Sequence, residues 1–210
     1  MTAALRVPDP DDRGDLATFV GRVVRLDQAA TVRLRGTGHR VTAWATTPFD
    51  VLATRSVPGT LDPDDVVAPA SGLLGALSVD RAATVDPGTG GLWQGPLPPD
   101  EGWTVVDTVP GAELEALTER GLTLARENAG PLGPPASLLD QTVLTVSAAD
   151  QPAVKVPLRC LFALSGMGFL GASDGDETVR VSATSAWLRL DARYGAVVRR
   201  RLTALPLLLG

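Results

Sequence analysis

Cysteine and histidine each occur only once in this chain of 210 residues, and their scarcity excludes several classes of function. A single cysteine, Cys160, cannot form an internal disulfide, which excludes a disulfide-stabilised secreted scaffold. Cys160 and His39 together cannot supply the three or four ligands of a typical zinc site. They also leave few groups for proton transfer or nucleophilic attack near pH 7. We therefore expect no metal, no cofactor and no catalytic residue.

Long apolar runs are also missing from the sequence. None approaches the ~18 residues that a membrane-spanning helix needs. The N-terminal residues include prolines and aspartates, where a signal peptide requires an apolar stretch. We therefore expect a cytoplasmic protein that does not enter a membrane. Hydrophobic residues make up 44% of the chain, which is enough to form a folded core.

Basic charge is scarce over the whole chain and unevenly distributed along it. The net charge is −5, which argues against a dedicated nucleic-acid binder, because such proteins usually carry a basic domain. Residues 1–110 contain 9 basic and 14 acidic side chains, whereas residues 155–210 contain 8 basic and 4 acidic ones. We place a domain boundary near residue 110, which predicts domains at 1–110 and 111–210.

The N-terminal half carries the patterns of one helix and an antiparallel sheet. Residues 11–28 place their apolar side chains mostly on one helical face, and aspartates stand at the start of that helix. Residues 31–46 alternate on both sides of Gly36-Thr37-Gly38-His39, which predicts a hairpin. Residues 49–57 predict a third strand, and one helical turn is expected near 71–77. The N-terminal half is therefore an antiparallel sheet with one packed helix.

A proline- and glycine-rich stretch at residues 86–102 predicts a loop between the two halves. Trp93 and Trp103 stand near its ends. Tryptophans beside prolines can line a groove for a peptide or ligand, and they can equally fasten a long loop to the core. Residues 103–109 predict a strand after the loop.

The C-terminal half alternates between helix and strand patterns. Residues 112–128 predict a helix, and residues 137–147 are compatible with either a helix or a strand. Residues 158–167 are apolar on nearly every face, which is typical of a helix buried on all sides. Residues 177–202 predict two or three strands in which valine and arginine alternate. The apolar residues 204–210 are expected to pack on the protein.

Residues 154–171, with Gly168-Phe169-Leu170 at the end of the helix, resemble the third helix and turn of a winged-helix domain, and residues 178–191 would then be the wing. The resemblance covers about the last hundred residues and implies a winged-helix-like C-terminal piece. A DNA-reading role would require polar and basic side chains on that helix, and it offers only Arg159 and Ser165. We therefore expect the helix to belong to the core. The preference for arginine over lysine along the whole chain is similar to that of actinobacterial proteins.

These observations predict an α+β protein that acts as a non-enzymatic cytoplasmic binding or assembly module, with self-association as one mode. The expected partner is a protein or a second copy of the chain. A winged-helix DNA-binding regulator is the alternative, although nucleic acid is disfavoured, and an enzyme of unrecognised type is the third. The candidate interaction surface comprises Trp93, Trp103, Arg180, Arg189, Arg193, Arg199, Arg200 and Arg201.

The arginines at positions 199–201 also lead to a prediction about how the halves are arranged. Alternation along a strand places Arg199 and Arg201 on one face and Arg200 on the other, so at least one arginine lies against protein, acid or solvent on each side. An arginine against protein is costly unless it is paired, and the acidic N-terminal half is the natural partner. We therefore expect the two halves to pack together rather than to form two independent domains joined by a linker.

Overall fold

The computed structural model of the chain describes residues 3–79, 82–131, 133–148, 153–171 and 177–201. The strands are β1 (Ala4–Arg6), β2 (Thr31–Thr37), β3 (Arg40–Thr47), β4 (Val51–Pro58), β5 (Thr60–Asp62), β6 (Asp65–Pro69), β7 (Thr84–Val85), β8 (Thr104–Pro110), β9 (Thr142–Val146), β10 (Val154–Pro157), β11 (Thr178–Ala183), β12 (Trp187–Ala192) and β13 (Gly195–Arg200). The helices are α1 (Pro10–Leu26), α2 (Ala70–Val79), α3 (Gly111–Glu127), α4 (Ala136–Leu139) and α5 (Leu158–Gly166).

One antiparallel sheet of eight strands contains strands from both halves of the chain. Its order is β6-β2-β3-β4-β13-β12-β11-β8. The halves meet where β4 pairs with β13, in the register Ala53 opposite Val197. The expectation that the halves pack together is therefore confirmed. Strand β8, which ends at Pro110 next to the expected domain boundary, pairs with β11 in the C-terminal part of this sheet.

The two halves contain the same two units in opposite chain order. The N-terminal half begins with a strand, a helix and three strands (β1, α1, β2–β4) and continues with a strand–helix–strand unit (β6, α2, β7). The C-terminal half begins with the strand–helix–strand unit (β8, α3, β9) and continues with β10, α5 and β11–β13. Equivalent strands occupy equivalent places: β6 and β8 are the edges, β4 and β13 the centre, and β1 pairs with β7 as β10 pairs with β9. The topology therefore has a pseudo-twofold relation about the β4–β13 junction.

The helices cover one face of the sheet and bury the main core against it. Helix α1 begins after Asp9, whose carboxylate accepts the amide of Asp11 at 2.7 Å, and Pro10 is its first residue. Its apolar stripe, including Phe19 and Val23, is buried. Helix α2 is longer than the single turn that the sequence predicted. It carries no charged residue and packs against α1.

Helix α5 lies in the core, as its sequence predicted. Every residue from Leu158 to Leu164 is buried, including Cys160 and Arg159. Pro157 precedes the helix, and Gly168 follows its end with φ +59°, a conformation that glycine adopts at little cost. Phe169 is then fully buried and stacks on Phe19 with ring centroids 6.4 Å apart.

The winged-helix-like arrangement expected for the C-terminal piece is wrong. Strands β11, β12 and β13 do not form a separate wing, because β13 also pairs with β4 and β11 also pairs with β8. The ambiguous residues 137–147 contain both structures: α4 is a single helical turn, and β9 follows it and pairs with β10. Residues 204–210, which were expected to pack on the protein, lie outside the described residues.

Two arginines and two aspartates join the halves on the helix-covered side, and we call Asp50, Asp140, Arg159 and Arg199 the arginine–aspartate cluster. The Arg159 side chain, only 8% exposed, contacts the Asp140 carboxylate at 2.9 Å, and its Nη1 donates to the Phe49 carbonyl at 2.8 Å. Arg199 contacts Asp140 at 3.0 Å and Asp50 at 3.6 Å. Among residues 199–201, Arg199 is therefore an arginine that lies against the protein, with its side chain 12% exposed, and one of its partners, Asp50, belongs to the N-terminal half.

Candidate functional site

The face of the sheet opposite the helices, which we call the outer face, is polar. In β2, Val32 and Leu34 are buried in the main core, so alternation turns Arg33 and Arg35 to the outer face. Arg33 donates two hydrogen bonds to Asp65 on β6, at 2.8 and 2.6 Å. This hydrogen bonding holds the pKa of Asp65 below its ordinary value.

Residues 86–103, which we call the strap, connect the halves and cross the outer face. The amide of Gly90 donates to the carbonyl of Val67 on β6 at 2.9 Å, so the strap begins along an edge of the sheet. Further along, its Trp93, Leu97 and Trp103 pack against Trp44 and Trp187 of the sheet. All 4 tryptophans of the chain therefore belong to one cluster. The interpretation that Trp93 and Trp103 fasten the loop agrees with this packing.

Beside the tryptophan cluster the strap borders a groove with a volume of about 510 Å³. Strands from both halves form its floor. Its charged lining residues are Arg35, Arg55, Arg180, Arg189, Asp100 and Asp191. Hydroxyl groups of Thr42, Ser56 and Ser182 and the indoles of Trp44 and Trp103 complete much of the lining.

Ion pairs hold most of the groove's charged groups in place. Asp191 lies 2.8 Å from Arg189 and 3.6 Å from Arg180. The Arg189 guanidinium is 5.9 Å from the centroid of the Trp103 ring, a distance suited to a cation–π contact. On the opposite wall, Arg35 approaches Asp100 of the strap only to 3.9 Å. Asp191 is thus held by two arginines, whereas Asp100 has one long contact.

One buried polar atom of the groove floor, the hydroxyl oxygen of Thr54, makes no hydrogen bond within the described part of the chain. Arg55, the next residue of β4, also lines the groove, but alternation with the buried Ala53 turns its side chain toward the helices. Its terminal nitrogens contact Asp15 of α1 and the carbonyl of Arg193. Buried polar groups are nearly always paired in folded proteins, so the Thr54 hydroxyl is available to a polar group in the groove.

The structure brings together four of the eight residues that the sequence singled out. Trp103, Arg180 and Arg189 line the groove, and Trp93 lies in the adjoining tryptophan cluster. The other four are dispersed. Arg193 lies in the β12–β13 turn with its guanidinium 5.5 Å from the Tyr194 ring, and Arg199 belongs to the arginine–aspartate cluster. Arg200 is exposed opposite Trp187, and Arg201 donates to the Thr184 carbonyl at 2.8 Å.

Sequence reasoning missed several groove residues, namely Arg35, Arg55, Trp44, Asp100 and Asp191. Arg35 and Asp191 lie at outward positions of alternating strands, so period-two alternation could have identified them. Asp100 carried no such signal, because its place depends on how the strap crosses the sheet.

The groove presents arginine, aspartate, hydroxyl and indole groups. Its lining contains no histidine, cysteine, lysine or glutamate. The single Cys160 lies instead inside the core, where burial raises its pKa to about 12, an effect that Arg199 and Arg159 oppose. No cluster of three metal-ligating side chains occurs among the residues that the structure describes.

The helix-covered face is not basic. Helix α1 carries three acidic and three basic residues, α2 none, and α3 four acidic and two basic ones. Acidic groups therefore outnumber basic ones on these helices, which does not suit a surface that follows nucleic-acid phosphates. Within the described ranges, no helix combines the length and apolar character needed to cross a membrane.

Several solved structures share this fold. The chain is similar to the polymerase III beta protein of Caulobacter crescentus (17% identity, TM-score 0.58, covering 98% of this chain and 66% of that one). It is also similar to the DNA polymerase sliding clamp of Bacillus subtilis (15%, 0.60, 97% and 65%) and to the DNA polymerase III beta subunit of Pseudomonas aeruginosa (13%, 0.59, 98% and 66%). The chain thus spans about two thirds of the length of these proteins. At such identities the similarity establishes the fold alone.

Two family models match the sequence, one in each half. The domain of unknown function DUF8010 matches residues 1–94, and the domain of unknown function DUF8185 matches residues 98–204. The short gap between them lies within the strap. No curated protein matches the sequence. Since the second match covers just over half of the residues, the chain belongs to the DUF8185 family, and it carries that domain within a sliding-clamp fold.

Proposed function

We propose that this protein is a non-enzymatic binding module and that a partner protein binds in the groove on the outer face. The observation that carries the proposal is the composition of the groove. It combines guanidinium groups, hydroxyls and tryptophan rings, which bind polypeptide chains well, and its lining lacks the groups that most often transfer protons or attack substrates. The similarity to sliding clamps, whose names associate them with a DNA polymerase, supports an assembly role.

Site-specific photo-crosslinking in cells tests this proposal. Val105 lines the groove and is 53% exposed, and Leu124 on α3 is a matched apolar control at 44% exposed. A photoreactive phenylalanine at position 105 should give a discrete protein adduct that is missing from position 124. Equal adduct patterns at the two positions, or no protein adduct at position 105, would show that the groove is not the binding surface.

A second copy of the chain is the alternative partner, and the sheet edges bear on how it could bind. The β6 edge is partly covered by the Gly90 contact. Three features interrupt the β8 edge. Its pairing with β11 shifts register after Val181, the Asp107 carboxylate accepts a hydrogen bond from the Thr108 amide at 2.7 Å, and the strand ends at Pro110. Such features discourage edge-to-edge pairing, so we expect a monomer in dilute solution. Sedimentation equilibrium across a concentration series measures this directly.

DNA binding is the remaining candidate, because the similar structures are sliding clamps of DNA polymerases. The charges on α1–α3 oppose it on the helix-covered face, and Asp191 opposes it in the groove. We expect no binding of labelled duplex DNA at 150 mM salt by fluorescence anisotropy, since weak phosphate contacts decline steeply with salt. Tight binding that persists at this salt concentration would favour DNA over a partner protein as the ligand.

A further inference from the structure

We propose that the groove binds an acidic, extended segment of its partner and that Asp100 of the strap occupies part of this site until the partner displaces it. The inference rests on the proposed function, because it names the chemistry of the partner in the same groove. Its two supports are the charge of the groove and the character of the strap beside it.

The charge of the groove is positive within an acidic chain. Besides Arg55, whose guanidinium pairs with Asp15 of α1, three arginines and two aspartates line it, whereas the whole chain carries a net charge of −5. Asp191 neutralises part of the charge of Arg180 and Arg189, and the Arg180 side chain remains 57% exposed. Arg35 on the other wall is 37% exposed. Two guanidinium groups on opposite walls are therefore accessible to carboxylates of an incoming chain, and their planar donors suit carboxylate oxygens.

The strap shows which kind of chain this groove accommodates. Its residues 96–103 read Pro-Leu-Pro-Pro-Asp-Glu-Gly-Trp and form neither helix nor strand. Pro99 and Asp100 line the groove, and the Trp103 indole donates to the Pro99 carbonyl at 2.9 Å. The groove thus already borders an acidic, proline-flanked segment whose carboxylate approaches Arg35.

The contact between Asp100 and Arg35 is suited to replacement. It spans 3.9 Å, and the Asp100 side chain is 75% exposed, so solvent screens it. The neighbouring carboxylate of Asp191, 19% exposed, is held at 2.8 Å and is not available for exchange. Asp100 is therefore the one acidic group of the lining that a partner carboxylate can replace at small cost.

A peptide fits these observations better than a nucleic acid does. A phosphate chain would carry its repeated charges past Asp191, which lies between the two arginines of one wall. The tryptophan cluster and the prolines beside the groove provide apolar surface for side chains. A segment that alternates acidic and apolar or proline residues therefore matches both parts of the surface.

The test measures binding of a fluorescein-labelled peptide with the sequence of residues 95–103 to the full chain by anisotropy. Asp100→Asn in the protein should tighten binding about two- to fivefold, because it removes the weak internal competitor. Glu101→Gln is the matched control: it lies next to Asp100, removes the same charge, and shows no ion pair among the described residues. Arg35→Gln should weaken binding, and Arg120→Gln on α3 should leave it unchanged.

The proposal fails if Asp100→Asn binds no tighter than wild type, if Glu101→Gln tightens binding equally, or if a peptide with both acids amidated binds as well. It also fails if an oligothymidine of similar charge binds as tightly as the acidic peptide. These failures are distinguishable from failure of the proposed function. A protein adduct at position 105 together with no acidic-peptide binding would keep the groove as the partner site and reject only the partner chemistry.

Discussion

Replacing Asp140 with alanine tests how much the arginine–aspartate cluster contributes to the stability of the fold. In the native protein one oxygen of Asp140 accepts from Arg159 at 2.9 Å and from Arg199 at 3.0 Å. The side chains of these arginines are only 8% and 12% exposed. After the substitution the carboxylate that both arginines retain is that of Asp50, at 3.8 and 3.6 Å, whose own side chain is 83% exposed. Arg159 also keeps its hydrogen bond to the Phe49 carbonyl.

The expected cost follows from this geometry. Removing one partner of a buried ion pair costs about 3–5 kcal/mol, because the other charge remains buried. Asp140 is 37% exposed and Asp50 stays nearby, so we expect a loss of about 2–3 kcal/mol in the free energy of unfolding. For a chain of this size, that loss corresponds to a decrease in Tm of about 5–10 °C.

Chemical and thermal denaturation followed by circular dichroism measure this difference. Glu119→Ala is the control, since Glu119 is an exposed acid on α3 with no ion pair in the described ranges, and it should change stability by less than about 0.5 kcal/mol. If Asp140→Ala lost no more than this control, the ion pairs of Asp140 would contribute little to stability, and the reasoning from burial would be refuted.

Four further predictions concern single residues. Gly195→Ala would place a Cβ within 3.0 Å of three Phe169 ring atoms, so we expect a loss of about 1–3 kcal/mol in denaturant unfolding, whereas Gly72→Ala, with no atom within 4 Å, should be neutral or stabilising. Because burial raises the pKa of Cys160 to about 12, the native thiol should not react with a disulfide reagent at pH 8 and should react fully in guanidinium; rapid native reaction would contradict its burial. The same raised pKa favours the folded state below the ordinary thiol pKa, and this contribution should be lost as pH rises from about 9 to about 12, so Cys160→Ala should show a smaller decline in stability there. The hydrogen bonds from Arg33 lower the pKa of Asp65 in the folded protein. Any stability advantage of the wild-type protein over Asp65→Asn should therefore be present at pH 7 and decrease as the solution is acidified through that pKa. An advantage that grew at pH 3 would refute this.

Local patterns predicted most elements because their causes are local. Aspartates and a proline begin α1, and alternation on both sides of a glycine turn produces the β2–β3 hairpin. The apolar surface of α5 on nearly every face identified it as core. The Gly-Phe-Leu turn after α5 also has the local geometry that suggested a winged helix, with Gly168 at positive φ and Phe169 buried. The resemblance failed beyond that turn, because the place of the following strands is decided by non-local pairing.

Non-local pairing and the order of the units could not be read from the sequence. Residues 51–58 and 195–200 alternate like many other strands, and nothing local specifies that they are neighbours. A search for a repeat at fixed period finds nothing when two similar units occur in opposite order. At the groove, Arg180, Arg189 and Trp103 could be singled out by residue type, whereas the contact between Arg35 and Asp100 depends on the path of the strap.

The pseudo-twofold junction between β4 and β13 has a consequence for how this protein could evolve or misassemble. Two strands from different halves pair there in antiparallel fashion, as the edges of two separate molecules would. Residues 86–103 form a long connection without helix or strand, so β4 of one molecule can pair with β13 of another while each half keeps its native neighbours. Such an exchange would create a domain-swapped dimer from contacts that the monomer already contains. The chain thus contains, within one polypeptide, an antiparallel strand pairing of the kind that joins the two subunits of a symmetric dimer.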